Sequence, residues 1–173
     1  MVEKRPLALG LIALAGLLLP GHSPYTQWYA YRAKHLVVVT DSGRPGAMEL
    51  ASAIASAVTA KWPQSKAVAA EARSAVEVLH LLSSGQLQVA LVGSDDARDA
   101  AEGRGGFAAE GKLPLRAIAV LGSDVLVVLE SYPRDRAQRL ARAIADSSLL
   151  AAKVATGPPA VPFHPGALDV SAR

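Results

Sequence analysis

Four histidines, at positions 22, 35, 80 and 164, are the first residues in this chain with the right side chains for chemistry. Their spacing argues against it: there is no H-x-x-x-H pair and no carboxylate at ligand distance in sequence, so they do not read as a metal site. His80 falls in an apolar helical stretch and reads as a core or edge histidine, and His164, set between prolines, as a residue that shapes the tail. Asp95 and Asp96 read as carboxylates at a helix start, each stabilising the helix dipole by about 0.3–1 kcal/mol, rather than as a catalytic pair. The glycines of "GRGG" at 103–106 lack a following Lys-Ser/Thr and a helix in register, so they do not form a phosphate loop. Arg134, Arg136, Arg139 and Arg142 make one basic helix. It reads as a solvated face partly paired with Asp135, with lipid headgroups or an acidic partner as the alternative. No order of Ser, His and Asp suggests a nucleophile, and the absence of cysteine excludes disulfides and thiolate catalysis. The expectation is a protein that is not an enzyme and has no catalytic residues, metal or cofactor.

What must position the remaining polar groups is one domain of moderate size. The chain has 173 residues, 51% of them apolar but only 5% aromatic, a balance weighted to Ala that suits helices packed closely on a sheet. The net charge of +3 is small and scattered, which excludes the clustered basic face of a nucleic-acid binder.

The first residues read as a membrane anchor. Lys4 and Arg5 precede an apolar run from Leu7 to Leu19 that includes Leu11, Leu14 and Leu18. That run is about 20 Å of helix, short of a hydrocarbon core of about 30 Å and of a length that suits a secretory signal. The small residues Ala13 and Ala15 lie inside the run, and Pro24 follows the next candidate cleavage point, so an uncleaved span over about 6–31 is favoured. Tyr25, Trp28, Tyr29 and Tyr31, followed by Arg32 and Lys34, supply an interfacial belt. The expected orientation is N-terminus in the cytoplasm and domain in the periplasm.

From residue 35 the pattern alternates strand and helix. "HLVVVT" (35–40) is a strand covered on both faces, and Ala47, Leu50, Ala51, Ile54, Ala55 and Val58 form one helical stripe ended by Pro63. "KAVAAEA" (66–72) is a weaker strand, and Ser74 with Glu77 makes a capping box for a helix that stops at Gly85. "LQVALVG" (87–93) is the third strand, after which Ser94 caps a short polar helix; strands at 115–121 and 125–130 and a helix from about Arg134 follow. The order predicts an α/β lobe, 35–156, with a mostly parallel sheet flanked by helices. Residues 1–34 form the anchor and juxtamembrane segment. The Pro-rich tail 157–173 is expected to pack on the lobe as irregular chain.

"ARSAVEVLHLLSSGQLQVALVGSDDARDAAEGRGGF" followed by "LPLRAIAVL" resembles the first lobe of the TAXI family, the extracytoplasmic solute-binding proteins of one class of TRAP transporters. The loop "DSGRPGA" falls where that family carries a Gly-rich loop, and the likeness runs over about 36–130. "VLVVLESYPRDRAQRLARAIADSS" and "PFHPGAL" (162–168) resemble the segments that close the two-lobed chain after its second lobe. The resemblance therefore implies a periplasmic-binding-protein-like single lobe with the second lobe missing. It also places the leftover ligand positions at Ser42, Gly43, Arg44, Gly46, Ser74, Ser94 and Asp95, where helix N-termini suit a carboxylate. The tyrosines usual just past the loop are replaced by Ala47, Met48 and Glu49, which weakens the site.

A single lobe offers one wall where small-ligand sites bury roughly 70–90% of their ligand. The expected function is an accessory or docking subunit of an integral membrane complex of the bacterial inner membrane, tethered to lipid by its N-terminal helix. The alternative is a reduced solute-binding or sensor protein for a small carboxylate.

Overall fold

A computed structural model describes Tyr31, residues 35–155 and residues 158–171. The chain divides into two compact units, Met1–Ala33 and Lys34–Arg173. Of the anchor residues, Leu7, Leu11, Leu14, Leu18, Tyr25, Trp28 and Tyr29 lie outside the described residues, and Tyr31 is helical and exposed. The expected transmembrane span thus lies outside the described residues apart from Tyr31, and among the described residues no helix is long and apolar enough to cross a membrane.

The second unit is a five-stranded sheet between two helical layers. Its elements run β1 (Val37–Asp41), α1 (Ala47–Lys61), β2 (Val68–Ala72), α2 (Ala75–Ser83), β3 (Val89–Gly93), α3 (Ser94–Glu102), β4 (Leu115–Leu121), β5 (Asp124–Leu129), α4 (Arg134–Ala145), α5 (Ser148–Ala151) and α6 (Pro165–Ser171). Every residue of β1 is buried, as a strand with helices on both faces requires. Strand alternation sends Val38 into one core with Ile54, Val58, Leu140 and Ile144, and Val37 and Val39 into the other with Val78, Leu79 and Ala97. α1 lays Ala47, Ala51, Ile54, Ala55 and Val58 on the sheet, and its alanines let the helix approach closely. α2 starts as its sequence dictates: Ser74 Oγ accepts the Glu77 N–H at 3.3 Å. The returning carboxylate of Glu77 accepts from the Arg73 N–H at 2.8 Å, one residue earlier than in a standard capping box.

The strand order is β2-β1-β3-β5-β4. β1, β2 and β3 are parallel, while β5 is antiparallel to both β3 and β4. β4 thus runs with the first three strands and only β5 is reversed. The reason is the connection: Leu121 pairs with Asp124, leaving only Gly122 and Ser123 between the strands. So short a link permits a hairpin but not a parallel crossover, which needs a dozen or more residues. Gly122 takes φ 67°, the conformation a glycine at the first position of such a turn supplies.

Three local expectations are corrected. Ser94 is the first helical residue of α3, which follows Gly93 with no side-chain cap. Of the two placements expected for His80, core or edge, the core one is ruled out: it is exposed on α2 and its Nδ1 lies 3.0 Å from Glu110. The tail is not wholly irregular, because "PFHPGAL" forms an edge bridge and then begins α6.

That tail completes the outer edge of β4. The Ala117 N–H donates to the Pro162 carbonyl at 2.9 Å, and the His164 N–H donates to the Ala117 carbonyl at 2.8 Å. Further along, the Gly122 N–H donates to Lys153 at 3.0 Å, and the Ala155 N–H donates to Val120 at 2.9 Å. Exposed edges invite pairing with other chains, and here two short bridges cover one. His164 is 3% exposed; its Nδ1 accepts the Gly166 N–H at 3.1 Å and its Nε2 donates to the Tyr132 carbonyl at 2.9 Å. Gly166 is needed for close approach, since a Cβ there would stand 2.3 Å from the Arg134 carbonyl oxygen. Arg134 adds a bidentate pair with Asp169, at 2.9 and 2.7 Å. Gly166→Ala is therefore expected to push α6 off α4 and cost roughly 1–3 kcal/mol in urea denaturation. A variant as stable as the wild type would show that the two helices are not held at backbone distance.

Candidate functional site

The carboxyl ends of β1 and β3 form the crevice in which an open α/β sheet holds ligands. The chain leaves β1 for β2 on one side and returns across it to β3 on the other, so β1 and β3 flank the switch point. The loop 42–46 leaves β1 here, α3 starts from β3 here, and the reversed β5 starts here as well. The seven sequence-predicted positions all lie along this edge of the sheet, with Ser74 at the β2 end.

Arg44 occupies the centre. Its guanidinium pairs directly with Asp124, the first residue of β5, and lies 3.7 Å from the Asp41 carboxylate at the end of β1. The side chains of Arg44, Asp41 and Asp124 are 23%, 6% and 15% exposed, so the group is largely removed from water. Gly93 makes room for it: a Cβ there would stand 3.1 Å from an Asp96 carboxylate oxygen and 3.7 Å from Arg44 Nη1. Two carboxylates, Asp41 and Asp124, therefore lie against one guanidinium, and the Asp96 carboxylate stands near Gly93 beside them. Burial pushes the Asp96 carboxyl up from its ordinary value of 3.8, the Asp41 carboxylate adds in the same direction, and Arg44 pulls against both.

The other predicted residues are placed differently. Asp95 points outward, 92% exposed, and pairs with Arg98 at 2.8 Å. Ser42, Gly43 and Gly46 are exposed, and Gly46 takes φ 77° just before α1. The Ser42 N–H is bonded to the Ala72 carbonyl and the Ser94 N–H to the Ser123 carbonyl, both at 2.9 Å. Ser74 serves the cap of α2. Sequence reasoning missed Asp41, Asp96 and Asp124 as members of the cluster. The available signal for Asp124 was an acid directly after a Gly-Ser turn and before "VLVVL", where a buried strand has no other use for it.

On the solvent face of α4 the basic side chains are mostly engaged. Arg134 pairs with Asp169, Arg139 lies 3.9 Å from Asp135 and 5.2 Å over the Trp62 ring, and Arg136 reaches Gln88 at 3.5 Å. Among the described residues no group of three or more His, Cys, Asp or Glu side chains has the geometry to hold a metal ion.

The model of the NMT1-like family matches residues 48–138, just over half of the chain. The chain belongs to the NMT1-like family. This is a periplasmic-binding-protein-like family, and the mixed sheet flanked by helices agrees with one lobe of such a protein. The match runs from α1 through β5 into α4, so it takes in the hairpin that carries Asp124. No curated protein matches the chain.

The upward push on Asp96 gives a stability prediction. A carboxyl that holds its proton more tightly when folded favours the native state most below 3.8, and that support is lost as pH rises through the folded value. Asp96→Asn in this NMT1-like chain should therefore melt at a higher temperature than the wild type at about pH 7, with the gap closing toward about pH 4. Thermal melts across that range check it; a variant less stable than the wild type at neutral pH contradicts the assignment.

Proposed function

We propose that this chain is a non-catalytic accessory subunit, tethered to the bacterial inner membrane, whose solute-binding-like lobe docks on an integral membrane complex and helps assemble or stabilise it. Family membership supports the solute-binding-like domain. The finer kinship with the TAXI proteins of TRAP transporters rests on the quoted sequence resemblance.

One observation carries the reading: β4 and β5 are joined by only Gly122 and Ser123. The resemblance sets the second lobe between these strands, and a two-residue turn leaves no room for it. Two-lobed receptors enclose their solute by hinge closure. A lobe with no second lobe inserted at this turn leaves a small solute open to water on one side. The surface once covered by closure is then available to another protein. The apolar run 7–19 and the aromatics after it supply the tether, with the N-terminus in the cytoplasm and the lobe in the periplasm. Confinement to the membrane plane raises the effective concentration near a membrane partner without any added contact. No cofactor or nucleic acid enters this reading.

The test is solubilisation of native membranes in a mild detergent, native-gel separation and mass spectrometry of the band. Stoichiometric co-migration with one large integral complex, and a fall in the amount of that assembled complex when the chain is deleted, is the expected result. Migration alone, or only with TRAP-type permease subunits, overturns the docking reading and leaves a small-carboxylate receptor as the function to pursue.

A further inference from the structure

The Arg44 guanidinium and the Asp124 carboxylate reach each other from distant parts of the chain, the loop after β1 and the turn before β5. Both side chains are mostly buried, at 23% and 15% exposure. The same turn delivers the Ser123 carbonyl to the Ser94 N–H at the first residue of α3, at 2.9 Å. A cation and a helix-start N–H at the carboxyl ends of parallel strands are the groups with which such a crevice holds an anion. Here one turn reaches both.

We infer that the β4–β5 turn is a built-in occupant of this crevice, with the Asp124 side chain standing where the carboxylate of a small organic acid would otherwise bind Arg44. The lobe is self-liganded and takes no external acid there. Charge supports this. With Asp124 in place two carboxylates already lie against one guanidinium, so a further anion meets repulsion. Removing the Asp124 carboxyl leaves a hole of the size of formate, and filling that hole restores the native set of charges. The inference concerns the crevice alone, so it holds or fails independently of any membrane partner found by native gel.

The experiment compares thermal melts of the full chain, wild type and Asp124→Ala, in sodium formate and in sodium chloride of equal ionic strength. The wild type should melt at the same temperature in both salts. Asp124→Ala should melt lower in chloride and recover in formate by roughly 3–6 °C, saturably, at about ten times the dissociation constant. If Asp124→Ala is unfolded in chloride, recovery of a cooperative melt in formate is the equivalent result. The double variant Arg44→Met with Asp124→Ala should show no formate response. The inference is overturned if formate stabilises the wild type as much as Asp124→Ala, if Asp124→Ala does not respond, or if the response survives loss of Arg44.

Discussion

A link of two residues between β4 and β5 obliges the second strand to run back along the first, and most of the lobe's particular character follows from that constraint. β5 enters the sheet between β3 and β4 and separates strands that would otherwise be parallel neighbours. Its first residue then arrives at the carboxyl ends of β1 and β3, where a binding lobe keeps its polar groups. Asp124 meets Arg44 there for geometric reasons, since the register that pairs Gly93 with Asp124 puts the carboxylate beside the guanidinium that lies over Gly93. Had the connection been long, this corner of the sheet would have been left to whatever the longer segment supplied.

The electrostatic balance of the crevice is consequently internal. Ion pairs that are mostly withdrawn from water contribute little net stability but are costly to break singly. Arg44 is in that position, with two carboxylates against it and a third, Asp96, made less acidic by burial. The arrangement holds the loop after β1 to the hairpin.

Much of the fold was legible in the sequence because its signals are local. The stripe Ala47 to Val58, the Ser74 cap and the β-branched run 37–39 each state their structure within a turn or two of chain, and all were found where expected. The reversed strand was less legible: β5 has the composition of a parallel core strand, and only the shortness of the link before it gives its direction. The choice between core and edge for His80 was not legible, because Val78, Leu79 and Leu82 around it are buried while its own position on α2 turns outward to Glu110. The crevice cluster was hardest to see. Asp41, Asp96 and Asp124 lie in three separate segments, and only the sheet order brings them to one guanidinium.

The covering of β4 by the tail has a consequence for the order of events in folding. The bonds from Ala117 to Pro162 and His164 span a long stretch of sequence, so the edge of the sheet stays open until the segment around His164 has been made. During that interval β4, "LRAIAVL", is paired with β5 on one side only and presents an open outer edge, rich in apolar residues and well suited to pairing with another copy. A chain truncated before Pro162 would keep every helix of the core except α6 and leave one edge still adhesive, which makes the segment 162–171 a guard against aggregation as well as a part of the core.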